Sequence, residues 1–313
     1  MQPPYPTPKS ILSTLLPHLR VAARYARQIQ SRIQALPAKE NETNLFATAL
    51  SDADLAIQNL VEIALLGTFP ETRFYGEEFQ QSANTKYFRS TELGSPDGPQ
   101  DDYLITLDPI DGTRFYLDGH DNYQIILGVL SPNYFEAVIA ISPEINTYFY
   151  ALRGEGAFYG DLSLDLEACQ PLKISNPQST ILLSSRMGFL ESGLSDCYKV
   201  ISIERDYSAK TQILNYSGLF QGDVCGAILR SGKFIDGAAL AFIAQEAGCL
   251  VTTLTGDPPP LLHTCPDLSW PGLAIAASET IQRDLLAAVQ GADQTKLAAT
   301  QENGDFRLRS STQ

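Results

Sequence analysis

Histidine, methionine and tryptophan are scarce in this chain, with three, two and one of each in 313 residues. The histidines (18, 120, 263) are far apart and fall in no triad order, which argues against a Ser–His or Cys–His nucleophile. The five cysteines (169, 197, 225, 249, 265) are odd in number and contain no Cys-x-x-Cys pair. A disulfide framework or a zinc site is therefore not expected, and reduced thiols of the cytoplasm are expected. No run of 18 uncharged apolar residues exists, so a membrane-spanning helix is not expected. The opening MQPPYPTPKS lacks the apolar stretch of a secretory signal. Basic blocks are missing too. A formal charge of −14 disfavours a nucleic-acid or anionic-membrane partner. It leaves room for a phosphorylated substrate, provided that bound divalent cations reverse the local field.

What is abundant is the carboxylate, and its placement is patterned. The stretch Leu107–Gly119, LDPIDGTRFYLDG, follows an apolar run from Tyr103 to Leu107 that reads as a buried strand. Pro109 lacks an N–H, so regular pairing is expected to stop at Asp108. Asp108 and Asp111 flank a tight turn, and Gly112-Thr113 can open a helix whose N–H groups point at an anion. Taken alone, Asp-Pro-x-Asp-Gly is more often a surface turn than a site.

Three further acidic features accompany it. Asp54 stands at the start of a helix expected over Leu45–Leu66, where capping is the competing explanation. Glu77 and Glu78 follow Gly76 at the end of a short strand, Thr72–Tyr75. Asp236 precedes a small-residue helix from Gly237 through Glu246, again a capping position. Other expected elements are a long helix from Ser10 to about Leu36, kinked or started late at Pro17, and a meander over 123–130, 136–142 and 147–152. Strands follow at 180–184, 199–203, 250–253 and 273–277, with a helix and its C-terminal loop over 213–227 and a helix over 281–289. Gly154-Glu155-Gly156 with Gly160 has the wrong spacing for a dinucleotide fingerprint and reads as a hairpin bend.

GEE, then DPIDGT, then an Asp-x-Ala-Ala helix ending in EAG, together resemble the inositol monophosphatase family. Pro143-Glu144, Gly154-x-Gly156-Ala157-Phe158 and Leu172-Lys173-Ile174-Ser175 extend the resemblance over roughly residues 10 to 290. It implies an α+β fold, a five-layer αβαβα sandwich, in which residues 1–175 carry most metal motifs. Residues 176–292 would supply Asp236 and a specificity segment, ahead of a mobile tail at 293–313. The resemblance implies a Mg²⁺-dependent phosphomonoesterase, with Glu77, Asp108 and the Ile110 carbonyl on one ion. Asp108, Asp111 and Asp236 would hold a second, and a third, weaker ion would lean on Glu77 near Glu78. Gly112 and Thr113 would offer amides to phosphate, while Asp54 and Thr113 orient or deprotonate the attacking water, with Glu77 also in the catalytic set. Lithium sensitivity, a homodimer and inositol monophosphate as substrate are family expectations. Hard oxygen donors and no nucleophilic side chain suit that chemistry.

The chain departs from the family's pattern near the substrate. Ile235 replaces a tryptophan, Leu229 stands where inositol enzymes have a glutamate, and Arg114-Phe115-Tyr116 follows DPIDGT. Arg114 spacing is similar to the histidinol-phosphate phosphatases and to the phosphoadenosine-phosphate nucleotidases. Asp223 and Arg230 are the charged candidates in the specificity segment, and Arg114 serves either a second anionic group or a surface ion pair. Silent relatives that bind a phosphometabolite or a partner protein, and sugar bisphosphatases, are the rival readings.

Overall fold

The computed structural model describes residues 6–33 and 51–292. The expected helical start at 45–50 and the tail at 293–313 lie outside them. Helix α1 (Pro8–Ile29) is capped by Thr7, whose side chain accepts from the Ser10 N–H at 3.2 Å. It carries Pro17 in its interior, so the proline neither starts nor ends it. Its buried stripe Leu12, Leu15, Leu16, Leu19, Ala22, Ala23 and Ala26 lies on helix α2 (Asp52–Thr68) and on the sheet below.

That sheet has seven strands in sequential order: β1 (Arg73–Gly76), β2 (Leu104–Asp111), β3 (Gln124–Leu130), β4 (Phe135–Ser142), β5 (Thr147–Leu152), β6 (Gly156–Asp161) and β7 (Gln170–Pro171). β1 pairs with β2 in parallel, and the remaining neighbours are antiparallel. Alternation along the strands divides the sheet. Ile105, Leu107, Ile125, Leu127, Ile139 and Ile141 join the core beneath α1 and α2. The opposite face carries helix α4 (Gly237–Glu246), which packs on β4, β5 and β6. Phe135 meets Phe234 edge-on and stacks on Phe242 of that helix, at centroid distances of 5.7 and 5.6 Å. At the hairpin between β5 and β6, the Gly154 and Gly156 N–H groups donate to the Glu246 carboxylate at 3.1 Å, and both glycines have positive φ. The bend read from Gly154–Gly160 is that hairpin.

β2 departs from the expected strand. Pairing continues past Asp108 to Asp111, with a register shift that sets Asp108 opposite Ile126 and Asp111 opposite Gln124. One extra residue is thus absorbed on β2, and Pro109, which cannot donate a ladder bond, sits in this bulge rather than ending the strand. Gly112 follows at φ 89°, and the short helix α3 (Thr113–Leu117) begins there. A Cβ at Gly112 would lie 2.9 Å from the Phe115 ring, so the turn demands glycine on both dihedral and steric grounds.

The chain divides into two compact units. The first holds the chain up to Lys173 together with Lys233–Ala247 and Pro260–Ser269; the second holds Ile174–Gly232, Gly248–Pro259 and the chain from Trp270. Asp236 and α4 therefore belong with the first unit, although the sequence division placed them in the C-terminal half. Their apolar partners are on the seven-stranded sheet, and sequence distance conceals that.

The second unit is built on a five-stranded sheet: β8 (Thr180–Leu183), β9 (Lys199–Ser202), β10 (Gly226–Leu229), β11 (Leu250–Thr253) and β12 (Leu273–Ala276). The order is β11-β12-β10-β8-β9, with helix α5 (Glu279–Gly291) packed on β12 and β10. The helix expected within 213–227, ahead of its C-terminal loop, shrinks to a single turn. Only Gly218–Gln221 is helical, Gly222 takes φ 81°, and Gly226 already lies in β10. Three glycines within nine residues outweigh the apolar periodicity there. The combination of mixed sheets and helices is an α+β fold.

Candidate active site

Asp54 is wholly buried at the first turn of α2, and it both caps and faces the site. Its Oδ2 accepts from the Ser51 N–H at 2.9 Å and from the Ser51 hydroxyl at 2.6 Å, closing a capping box. Its Oδ1 accepts from the Thr113 hydroxyl at 3.3 Å, and the same hydroxyl reaches the Ile110 carbonyl at 2.9 Å. The two explanations for Asp54 thus describe different oxygens of one carboxylate.

Glu77 leaves β1 with its N–H on the Leu107 carbonyl at 2.9 Å, one strand from Asp108. Ligand oxygens of Asp54, Glu77 and Glu78 all lie within 4.8 Å of one another. Two residues that sequence reasoning missed hold this loop. Gln58 and Glu62 follow Asp54 at four-residue intervals on α2 and are fully buried. Gln58 Oε1 accepts from the Glu78 N–H at 2.9 Å, and Gln58 Nε2 donates to Glu62 at 3.0 Å. Their signal was a polar stripe, i, i+4, i+8, on a helix face that is otherwise buried. Gly76 makes room for it, because a Cβ there would lie 2.5 Å from Gln58 Cδ. We expect Gly76→Ala to displace Gln58 at a cost of about 1–3 kcal/mol. With Glu77 and Glu78 shifted, activity should fall about 10- to 100-fold. Denaturant midpoints and kcat measured on the same preparation test both.

Asp108 is 3% exposed, and its Oδ1 is buried with no hydrogen-bond partner. Burial raises its pKa well above the carboxylate range, and the charges of Glu77, Asp111, Asp236 and Asp54 add to that. Burial likewise pushes Asp111 up to about 8, reinforced by Asp236 and Glu77 and opposed by Lys233. Asp54 is pushed up to about 8 by burial, against the Ser51 hydrogen bond and together with the Glu77 and Glu78 charges. Asp236 caps α4 by accepting from the Gly237 N–H. Its pKa is raised by burial and Glu77, while Lys233 and that N–H pull it down. Glu77 is thus felt by Asp54, Asp108, Asp111 and Asp236 alike, which brings the sequence-distant acids to one place.

Lys233, three residues before Asp236 and joined to it by an Asp236 N–H to Lys233 carbonyl bond of 3.2 Å, is the basic residue beside the cluster that the sequence reading overlooked. Arg114 forks onto Asp118 at 2.8 and 3.1 Å, the ion-pair alternative raised for it. Asp223 and Arg230 lie in the second unit, where the Asp223 carboxylate accepts from Gln178 at 2.9 Å and the Arg230 N–H donates to Ser184 at 2.8 Å.

Buried carboxylates this close repel one another when ionised, so the site is incomplete without positive charge. The donors are all oxygens, with no imidazole or thiolate among Asp54, Glu77, Glu78, Asp108, Asp111 and Asp236, and the buried Asp108 Oδ1 has no hydrogen-bond partner. That set fits a hard divalent cation such as Mg²⁺.

Comparison with known proteins agrees with the geometry. A protein of Neisseria meningitidis serogroup A that carries the name SuhB is 28% identical over 250 residues, 75% of this chain and 85% of that one. A histidinol-phosphatase of Chlorobaculum parvum is 24% identical over 144 residues, 46% of this chain and 48% of its own. Among solved structures, a Thermotoga maritima IMPase matches with a TM-score of 0.67 at 17% identity, covering 93% of this chain and 99% of that one. The profile of the inositol monophosphatase family matches residues 13–295, and the chain belongs to that family.

Proposed function

We propose that this protein is a Mg²⁺-dependent phosphomonoesterase acting on a small phosphorylated metabolite, with inositol monophosphate the first candidate. The convergence of Asp54, Glu77, Asp108, Asp111 and Asp236 around a buried, unpartnered Asp108 oxygen carries the reading. Glu77, Asp108 and the Ile110 carbonyl would hold one ion, and Asp108, Asp111 and Asp236 a second, with Glu78 near a third. Bound Mg²⁺ supplies Lewis acidity, neutralising the carboxylates, polarising the phosphoryl group and making water a better nucleophile at neutral pH. The chain's own groups do the rest. Thr113 Oγ1, donating to Asp54, accepts a hydrogen bond from the attacking water and orients it in line with phosphorus. Asp54 takes up the proton. The first amides of α3, at Gly112 and Thr113, receive phosphate oxygens, and this preorganised contact strengthens as charge develops.

Family membership favours an inositol phosphate, whereas Leu229 and the Arg114 segment keep histidinol phosphate and a nucleotide bisphosphate as competitors. Arg114 is engaged by Asp118, which weighs against a second-phosphate pocket built on it. A homodimer, lithium inhibition and a cytoplasmic setting belong to this proposal as family properties. Among the described residues no helix is long and apolar enough to cross a membrane. A catalytically silent binder of a partner is the second reading, favoured by the designation Nus factor that SuhB relatives bear.

The deciding experiment is phosphate release from inositol 1-phosphate, histidinol phosphate and 3′-phosphoadenosine 5′-phosphate with Mg²⁺, alongside Asp111→Asn. Turnover of one ester, lost in the variant, is the expected result. Absence of release from every ester across a Mg²⁺ titration would establish the silent reading instead.

A further inference from the structure

Helix α1 carries Arg20, Arg24 and Arg27 at i, i+4 and i+7, a single stripe of cations on a chain whose formal charge is −14. The stripe lines an open cavity of about 500 Å³, bordered also by Glu144 and Asn146 of the β4–β5 turn and by Ser163 beyond β6. All of these residues belong to the first unit, and none is part of the carboxylate cluster.

The cavity's donors are largely unspent. Arg20 is positioned by its Nε on the Leu162 carbonyl at 2.6 Å and its Nη2 on the Leu164 carbonyl and Asp165, which leaves Nη1 without an acceptor among the described residues. Arg24 has no hydrogen-bond or ion-pair partner among them. Arg27 approaches Glu144 only to 3.9 Å, beyond hydrogen-bond range, and the Glu144 carboxylate also accepts from the Tyr123 hydroxyl at 3.1 Å. Asp161, behind the rim, is already held by Asn146 at 2.6 Å and by the Ser163 N–H and hydroxyl at 2.9 and 2.6 Å. The guanidinium forks of Arg24 and Arg27 and the free Nη1 of Arg20 therefore face one lining carboxylate, Glu144, in a concave site of small-metabolite size.

We infer that this cavity is a second ligand site, selective for a small metabolite bearing a multiply charged phosphate group. Planar guanidinium forks match phosphate oxygens bidentately, and two of them with a third guanidinium's Nη1 around one cavity suit a di- or trianion better than a single carboxylate. Glu144 is the built-in competitor that a ligand must displace from Arg27.

The test is calorimetric titration of the metal-free full chain with inorganic pyrophosphate at low salt. The anionic catalytic cluster repels this probe when no cation is bound, and the assay needs no turnover, so its outcome is independent of the phosphatase reading. Saturable one-site binding is expected. Arg24→Glu, at an exposed position, should weaken it at least tenfold with an unchanged melting temperature. Glu144→Gln, which removes the charge but keeps an acceptor for Tyr123, should tighten it severalfold. Absence of saturable binding, or equal dissociation constants in wild type and Arg24→Glu, would overturn the assignment.

Discussion

Asp108→Asn is expected to lower phosphatase turnover by about a thousandfold or more, while leaving the metal-free protein at least as stable as the wild type. The change is nearly isosteric, so the buried side chain keeps its space at the bulge of β2. Its Oδ1 has no hydrogen-bond partner to lose. Asparagine also removes an ionisable group whose charged form is opposed by burial and by the charges of Glu77, Asp111, Asp236 and Asp54. Folding therefore gains, or is unaffected, where activity is destroyed. In the proposed assignment Asp108 is the ligand shared by both ions, so its loss weakens the whole cation site rather than one half. Thermal melts with and without Mg²⁺, run beside steady-state phosphate release, separate the effects. Turnover within tenfold of wild type, with the Mg²⁺-dependent rise in melting temperature intact, would remove Asp108 from the site.

The same opposition between folding and function explains which parts of the chain were legible. DPIDGT is a continuous block whose turn chemistry, glycine requirement and flanking strand are all local, and the structure forms the turn where those residues predict it. Its error is instructive: Pro109 was expected to end the strand, but a bulge absorbs its missing donor and carries pairing on to Asp111. Asp54 was ambiguous because one carboxylate has two oxygens, one engaged in the cap and one turned towards Thr113. No pattern of spacing separates those roles.

What was not legible is long-range. Gln58 and Glu62 look like ordinary polar residues of an amphipathic helix until Gly76 and the Glu78 N–H come against them. Lys233 gains meaning only from its nearness to Asp111 and Asp236. The assignment of α4 to the first unit accords with aromatic packing of Phe135 on Phe234 and Phe242, partners 99 and 107 positions further along the chain. In contrast, the helix expected within 213–227 fails for a local reason: three glycines outweigh the apolar spacing.

Raising the pH from 5 to 8 is expected to destabilise the metal-free protein and to widen steadily the gain in melting temperature that Mg²⁺ confers. Asp54 and Asp111 each stand at about 8 in the folded, cation-free state, against 3.8 for the free side chain, chiefly through burial. Between those limits the folded state holds protons that the unfolded chain has released, so stability must fall as pH rises through the window. Carboxylates shifted the other way, such as Asp206 beside Arg205, act only towards the acid end, outside this window. A cation requires the deprotonated ligands, so its affinity climbs over the same range and binding displaces protons. At a Mg²⁺ concentration about a hundredfold above the dissociation constant, the stabilisation is about 2.7 kcal/mol. In a chain of this size that corresponds to about 5 °C. Melts at pH 5, 6.5 and 8, each with EDTA or with Mg²⁺, measure the slope directly. Asp54→Asn or Asp111→Asn should flatten the metal-free slope by removing one of the shifted protons. A melting temperature that neither falls with pH nor responds to Mg²⁺ at pH 8 would mean that these carboxylates are not gathered as the structure has them.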